Sequence, residues 1–222
     1  MPVRQGLDHE ANLLCNRQSD LETQLTTALD TLLRRSNAIS TESLCLIAGQ
    51  RVWHLRATLH VLSQQGSLLT CSSISLLAAL LHYRIPASEV RGGELTVFST
   101  GQRDPVPLAL LHHPLCLAIA FFPNAGLEGE ADVGVVVDPL LIEEQVCEGG
   151  MIVGANKEGE VVLIEKGGGT EVDGVMLLNC IARGVQKVKE TTARMFDAVE
   201  RNAQQKDRGG AMSRELRAEN ER

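Results

Sequence analysis

The stretch from Thr41 to Leu81, TESLCLIAGQRVWHLRATLHVLSQQGSLLTCSSISLLAALL, constrains the fold more than any other part of the chain. It reads as a strand, a second strand, a tight turn and a buried helix. Residues 51 to 62 alternate: Trp53, Leu55, Ala57, Leu59 and Val61 fall on one side, His54, Arg56, Thr58 and His60 on the other. A side-chain period of two predicts one long strand with a single face on a core. Gln64-Gln65-Gly66 supplies the turn, and Ser72 to Tyr83 is an apolar helix. Pro86 stops anything continuing from it, because proline cannot donate to a helix ladder.

Helical and extended patterns mix along the rest of the chain. Ser19-Asp20-Leu21-Glu22 has the form of a capping box. Leu21, Leu25, Ala28, Leu29, Leu32 and Leu33 follow at helical spacing, and Arg34-Arg35 place cations at the C-terminal end of the dipole. Strands are expected at 94–98, 115–122, 133–138, 151–155 and 160–165, with Asn156-Lys157-Glu158-Gly159 as a hairpin turn between the last two. Gly167-Gly168-Gly169 reads as a flexible connection. A last helix is expected over about 175 to 200, burying Leu178, Ile181, Val185, Val188, Met195 and Val199. From Arg201 onward the chain is charged and poor in apolar residues, which predicts a disordered tail. Irregular mixing of strands, hairpins and helices predicts an α+β domain with helices on a mixed sheet.

Composition narrows the function classes. The 222 residues are 44% hydrophobic but only 3% aromatic, so base stacking on aromatic platforms is not an obvious strategy. A net charge of -7 and a pI near 5.4 argue against a free-standing nucleic-acid binder, whose affinity comes from neutralising phosphates. Any RNA contact would come from a few arginines lent to a shared surface. The cysteines, Cys15, Cys45, Cys71, Cys116, Cys147 and Cys180, show no CxxC pair or zinc spacing and read as reduced, mostly buried thiols. The start of the chain lacks the pattern of a signal peptide, and no apolar run is long enough to span a bilayer.

Arg17-Gln18-Ser19-Asp20, Thr41-Glu42-Ser43-Leu44-Cys45, Ala48-Gly49-Gln50-Arg51-Val52-Trp53, Arg103-Asp104-Pro105-Val106-Pro107-Leu108 and Val137-Asp138-Pro139 stand in this order. Together they resemble the RNase PH-like subunits that form the ring of the eukaryotic RNA exosome, over about Arg17 to Phe196. The resemblance implies an RNase PH-like (ribosomal protein S5 domain 2-like) β-α-β-α fold. It divides the chain into a leader of residues 1–16, a partial RNase PH-like domain at 17–200 and a charged tail at 201–222. Family members begin with a β-rich section before the Arg17 element, and residues 1–16 do not resemble it, so the fold is expected to be N-terminally incomplete.

Two positions bear on catalysis. Active relatives carry a Gly-Gly-(Thr/Ser)-Arg element for inorganic phosphate, which needs backbone donors and a fixed guanidinium. Here the turn is Gln65-Gly66-Ser67-Leu68-Leu69-Thr70, and Leu69 falls at the arginine. Active relatives also carry two acids after a Val-Asp segment. Glu144 matches the first, and Gly150 falls at the second; Glu148 is a nearby substitute. The resemblance therefore implies degenerate active-site positions at Leu69, Glu144 and Gly150, with no catalytic residue, metal or cofactor.

Arg17, Arg34 and Arg35 are candidates for phosphates of a threading RNA; the alternative is solvated charge and dipole compensation. His112-His113 on a strand would face opposite ways, and His54 and His60 lie too far apart to share an ion. No Gly-rich element has nucleotide-loop spacing, and no nucleophilic triad is suggested.

The leading expectation is a non-catalytic exosome ring subunit that scaffolds the complex and channels RNA for 3′–5′ processing and degradation, in rRNA processing and mRNA turnover. The implied partners are the other RNase PH-like subunits of a hexameric ring, S1/KH cap proteins, a hydrolytic nuclease and single-stranded RNA, with no membrane. The implied locations are nucleus, nucleolus and cytoplasm. Two alternatives stay open: a phosphate-dependent 3′–5′ exoribonuclease using Glu144 and Glu148, and a truncated copy that does not assemble.

Overall fold

The computed structural model describes residues 20–92, 94–99, 101–123, 133–169 and 171–209. Helix α1 covers Asp20–Asp30, with a wider last turn at Thr31–Arg35. A short ladder joins β1 (Cys45–Ile47) to β2 (Arg51–Val52). Helix α2 (Leu68–His82) precedes four short strands: β3 (Arg84–Ile85), β4 (Ser88–Arg91), β5 (Glu94–Val97) and β6 (Val106–Pro107). The rest is β7 (Leu115–Pro123), β8 (Val133–Val137), helix α3 (Leu141–Val146), β9 (Gly149–Ala155), β10 (Val161–Gly168) and helix α4 (Gly174–Gly209).

The main sheet has the order β10-β9-β7-β8, antiparallel throughout. For the described strands the mixed sheet expected from the sequence is therefore corrected: β9–β10 close as a hairpin, β7 pairs antiparallel with β8, and the chain returns through α3 to lay β9 antiparallel on the other side of β7. Alternation along β7 explains the layering. Cys116 packs with Ala28, Leu29 and Leu32 of α1 and Leu69 and Leu76 of α2. Leu115 and Leu117 pack with Val188 and Met195 of α4, and Ile119 and Phe121 with Cys180. α1 lies on one face of the sheet and α4 on the other, while α2 runs along the edge of β7, where the Thr70 and Ser73 hydroxyls accept from Ala118 and Cys116 N–H and Leu77 joins the α4 side. Phe121, at 0% exposure, anchors the α4 side, and burying each such side chain contributes roughly 1.5–3 kcal/mol.

The hairpin turn is where the sequence places it. The Asn156 side chain accepts from the backbone N–H groups of Gly159 and Glu160, at 2.9 Å each, and donates to Glu160 Oε2 at 2.7 Å.

Four expectations need correction. The long strand over 51–62 is laddered only at Arg51 and Val52. Beyond Trp53 the chain runs to Gln65 without a turn, bend or ladder. The alternation is real, but among the described residues no strand lies beside it. The Gly167-Gly168-Gly169 run is not a free connection, because Gly167 and Gly168 pair with Gly150 and Gly149. On α4 the buried stripe is Cys180, Gly184, Val188, Thr192 and Met195, while Leu178 is 67% exposed. The helix turns Leu177 inward instead. Finally, α4 continues past Arg201 to Gly209, because its Glu, Arg, Ala and Gln residues are good helix formers. The capping box at Ser19 and the tail beyond Gly209 lie outside the described residues.

The thiols are less uniformly buried than composition suggests. Cys116 and Cys180 are buried, Cys147 is half-buried, and Cys45 and Cys71 are exposed; Cys15 lies outside the described residues. Burial pushes the Cys116 thiol up to about 11, against a smaller opposing effect of the Ser73 hydroxyl, and burial also raises Cys180. Since the thiolate is the nucleophile, Cys45 and Cys71 should be alkylated in the native protein. Cys116 and Cys180 should react only on unfolding, which mass spectrometry of iodoacetamide-treated protein will read.

Candidate functional site

A cavity of about 340 Å³ opens between the sheet and the starts of α1 and α2. Its floor follows from the ladder register. Ala118 and Ala120 on β7 stand opposite Ile152 and Gly150 on β9, which stand opposite Glu165 and Gly167 on β10. All six line the cavity. Leu21, Leu25 and Ala28 of α1, Leu68 and Leu69 of α2 and the preceding Ser67 line it from above. Pro139, Glu144 and Cys147 complete the wall.

Two strained loops meet at its rim. Gly66 (φ 111°) and Ser67 (φ 44°) have positive φ before α2, and Asp138 (φ 62°) does so after β8. Left-handed non-glycine residues persist only where surrounding contacts hold them. Here Leu141 N–H donates to Gln65 O at 2.9 Å, and the Ser67 hydroxyl donates to Pro139 O at 3.3 Å. The third bond is chemically the most telling: Ser67 N–H donates to Glu144 Oε1 at 2.8 Å. Free amides at a helix N-terminus attract anions. The chain's own carboxylate occupies that place at α2. Glu143 is tied down separately, accepting from Leu140 N–H at 2.7 Å.

The three positions Leu69, Glu144 and Gly150 thus come together around one cavity. Leu69 is buried in the cluster with Ala28, Leu29, Leu32 and Leu76, where no phosphate could be bound by a side chain. A Cβ on Gly150 would meet only Ile119 O, at 3.5 Å, an ordinary contact, so the backbone tolerates a side chain at this position, where the chain carries none. Glu148 is exposed and does not line the cavity; its backbone is held by Phe121 and Gly169. Glu165 does line it, and sequence reading passed it over. The signal was the hairpin register, which puts Glu165 two residues from the partner of Gly150.

The arginine candidates do not form one site among the described residues. Arg17 lies outside them. Arg34 pairs with Asp30 at 2.9 Å, and Arg35 is exposed and makes no ion pair among the described residues. Both sit beyond the end of α1, past Leu21, Gln24, Leu25 and Ala28, through which that helix lines the cavity. His54 and His60 are exposed on the unladdered segment. His112 and His113 lie on a loop before β7 rather than on a strand. Among the described residues no group of three His, Cys, Asp or Glu could hold a metal ion, and no helix is long and apolar enough to cross a membrane.

His113 has a structural setting. Its ring meets Phe196 of α4 edge-on, with centroids 5.0 Å apart, and its Nδ1 and Thr192 Oγ1 are buried without a partner among the described residues. Burial, then Lys157 and more weakly His112, lower its pKa, against an opposing effect of Glu158. The fold therefore favours neutral imidazole, while the unfolded chain titrates near 6.5. Stability from this group is complete above that value and is lost as pH falls through it to the depressed folded value. His113→Phe should reduce the drop in urea midpoint between about pH 7.5 and about pH 5.

The comparisons with known proteins agree with this architecture. The profile of the 3′ exoribonuclease family, domain 1 (RNase PH), matches residues 11–86. The exosome complex component rrp45 of Schizosaccharomyces pombe is 41% identical over 164 residues, covering 74% of this chain and 54% of that protein. Human exosome complex component RRP45 is 36% identical over 194 residues, covering 87% of this chain and 43% of that protein. The Saccharomyces cerevisiae RRP45 is 30% identical over 218 residues, covering 96% of this chain and 67% of that protein. The chain spans about half the length of the first two. Among solved structures, a chain of the archaeal exosome core superposes with a TM-score of 0.65 at 20% identity, over 79% of this chain and 64% of that one, which shows the shared fold.

Proposed function

Since the chain belongs to the RNase PH-type family of exosome complex component RRP45, we propose that it is a non-catalytic ring subunit of the RNA exosome. Its work is to hold the ring together with other RNase PH-like subunits and to help pass single-stranded RNA toward a nuclease elsewhere in the assembly. In finer detail, we read it as the counterpart of exosome component nine, the polymyositis/scleroderma autoantigen. S1/KH cap proteins and a hydrolytic nuclease complete the partner set, with nuclear, nucleolar and cytoplasmic residence. Residues 17–200 are the ring-forming domain. Arg17, Arg34 and Arg35 are its candidate RNA contacts, acting separately as point charges on a shared wall.

One observation carries the non-catalytic reading. The cavity that gathers Leu69, Glu144 and Gly150 is mainly apolar, and among the described residues no cation stands on its wall. Phosphorolysis needs a bound phosphate and stabilisation of developing charge by positioned donors. Here the helix amide that would serve is already bonded to Glu144. The enzymatic alternative keeps one supporting observation, that Glu144 and Glu165 line the same wall.

The test is phosphate-dependent release of nucleoside diphosphates from single-stranded RNA. It is read in a ring assembled with this chain and with the hydrolytic nuclease disabled. No release attributable to this subunit is expected. Release that disappears on Glu144→Gln or Glu165→Gln would replace this reading with the enzymatic one.

A further inference from the structure

Apolar residues exposed singly are ordinary, but α3 gathers three of them. Leu140, Ile142 and Val146 are 60%, 74% and 68% exposed. Ile142 and Val146 stand four apart and share one face of the helix, and Leu140 immediately precedes it. The fold itself turns that face outward. Glu144 lies midway between Ile142 and Val146, and a step of two residues turns a helix by about 200°. Glu144 lines the cavity and accepts from Ser67 N–H at 2.8 Å. Holding it there points Ile142 and Val146 to solvent.

The helix has 6 residues, well short of the roughly 12–15 that a free helix needs. It persists because its ends are tied. Leu141 N–H donates to Gln65 O at 2.9 Å, Leu140 N–H to Glu143 Oε2 at 2.7 Å, and Glu148 N–H to Phe121 O at 3.3 Å. A face held in this way needs little further ordering when something binds it.

Charge indicates what fits there. From Asp104 to Asn156 the sequence contains no Lys or Arg. Asp138, Glu143, Glu144 and Glu148 stand among and beside the three apolar residues, and Asp138 and Glu148 are exposed. Arg183 and Lys187 of α4 border Val137 rather than α3, and Lys187 pairs with Glu190 at 3.8 Å.

We infer that the outer face of α3 docks an amphipathic helix of a partner protein, one with aliphatic residues three and four apart and Lys or Arg beside them. The aliphatic side chains would cover Leu140, Ile142 and Val146, and the cations would meet Asp138 and Glu148. RNA fits poorly, since its phosphates would face carboxylates. A second copy of this chain docked through the same face would bring acid against acid, which is costly.

Methyl-resolved NMR of the full chain tests this with three probes: a helical peptide with leucines at that spacing and lysines elsewhere, the same peptide with glutamate for lysine, and a short oligouridylate. The lysine peptide should shift the methyl signals of Leu140, Ile142 and Val146 saturably, with an affinity roughly tenfold or more above that of the glutamate peptide. Added salt should weaken it. Ile142→Ser combined with Val146→Ser, both exposed positions, should remove the saturable shift and leave the urea midpoint unchanged. Glu148→Lys, also exposed, should lower the lysine-peptide affinity severalfold. Equal binding of both peptides, no saturable shift at millimolar lysine peptide, or shifts confined to cavity methyls such as those of Leu25 and Met151 would overturn the proposal. So would shifts of the three α3 signals by the oligouridylate. Concentration-dependent shifts of those signals in the chain alone would overturn it in favour of a second copy. These readouts need no ring assembly and stand apart from the exosome reading.

Discussion

Gly66→Ala should destabilise the protein by about 2–4 kcal/mol, whereas Gly101→Ala should be close to neutral. Gly66 has φ 111°, a conformation that L side chains rarely adopt. A Cβ there would stand 2.5 Å from both Pro139 O and Leu141 N. Both are backbone atoms of the loop that carries α3, so neither can swing aside. The substitution has to push apart the two loops that Gln65, Ser67 and Glu144 hold together. Gly101 has nothing within 4 Å of the same construction. Denaturant unfolding of the two variants reads the difference, and equal midpoints would mean that the loop contact described here is absent in solution.

Leu69→Arg comes next in size, with an expected loss of about 3 kcal/mol or more, against less than about 1.5 for Leu69→Met. Leu69 packs with α1 and Leu76. An arginine in its place would be a buried cation among aliphatic side chains, with the Glu144 carboxylate already engaged at Ser67. Adding Gly150→Asp should not restore the loss fully, although a Cβ there makes only an ordinary contact with Ile119 O. Urea titration of the three variants gives the comparison. If Leu69→Arg were instead tolerated and bound inorganic phosphate, the cavity would be a phosphate site that has lost one side chain, rather than part of the packed core.

The elements with the strongest local patterns were legible in the sequence. The apolar spacing of α1 and α2, the runs that became β7 and β8, and the Asn156–Gly159 turn all follow from short-range chemistry. What the sequence could not show depends on neighbours. Alternation over 51–62 specifies a face but not a ladder, and beyond Val52 no ladder forms among the described residues. The glycines at 167 and 168 look free in one dimension, and only the register with Gly149 and Gly150 makes them sheet. On α4 a small phase error moved Leu178 from core to solvent, because Cys180, Gly184 and Thr192 were not counted as inward residues. At the site, Leu69, Glu144 and Gly150 were legible through motif order. Glu165 and the Glu144–Ser67 bond needed the fold, since the residues joined by that bond are 77 apart in the chain.

The most direct test of the central claim is assembly. The full chain is mixed with the other RNase PH-like subunits and the mass of the product is measured by light scattering after gel filtration. The account predicts that this chain enters a hexameric ring in stoichiometric amount, and that it does so equally as Glu144→Gln, since a glutamine Oε1 can still accept from Ser67 N–H. A monodisperse chain that associates with none of those subunits would contradict it.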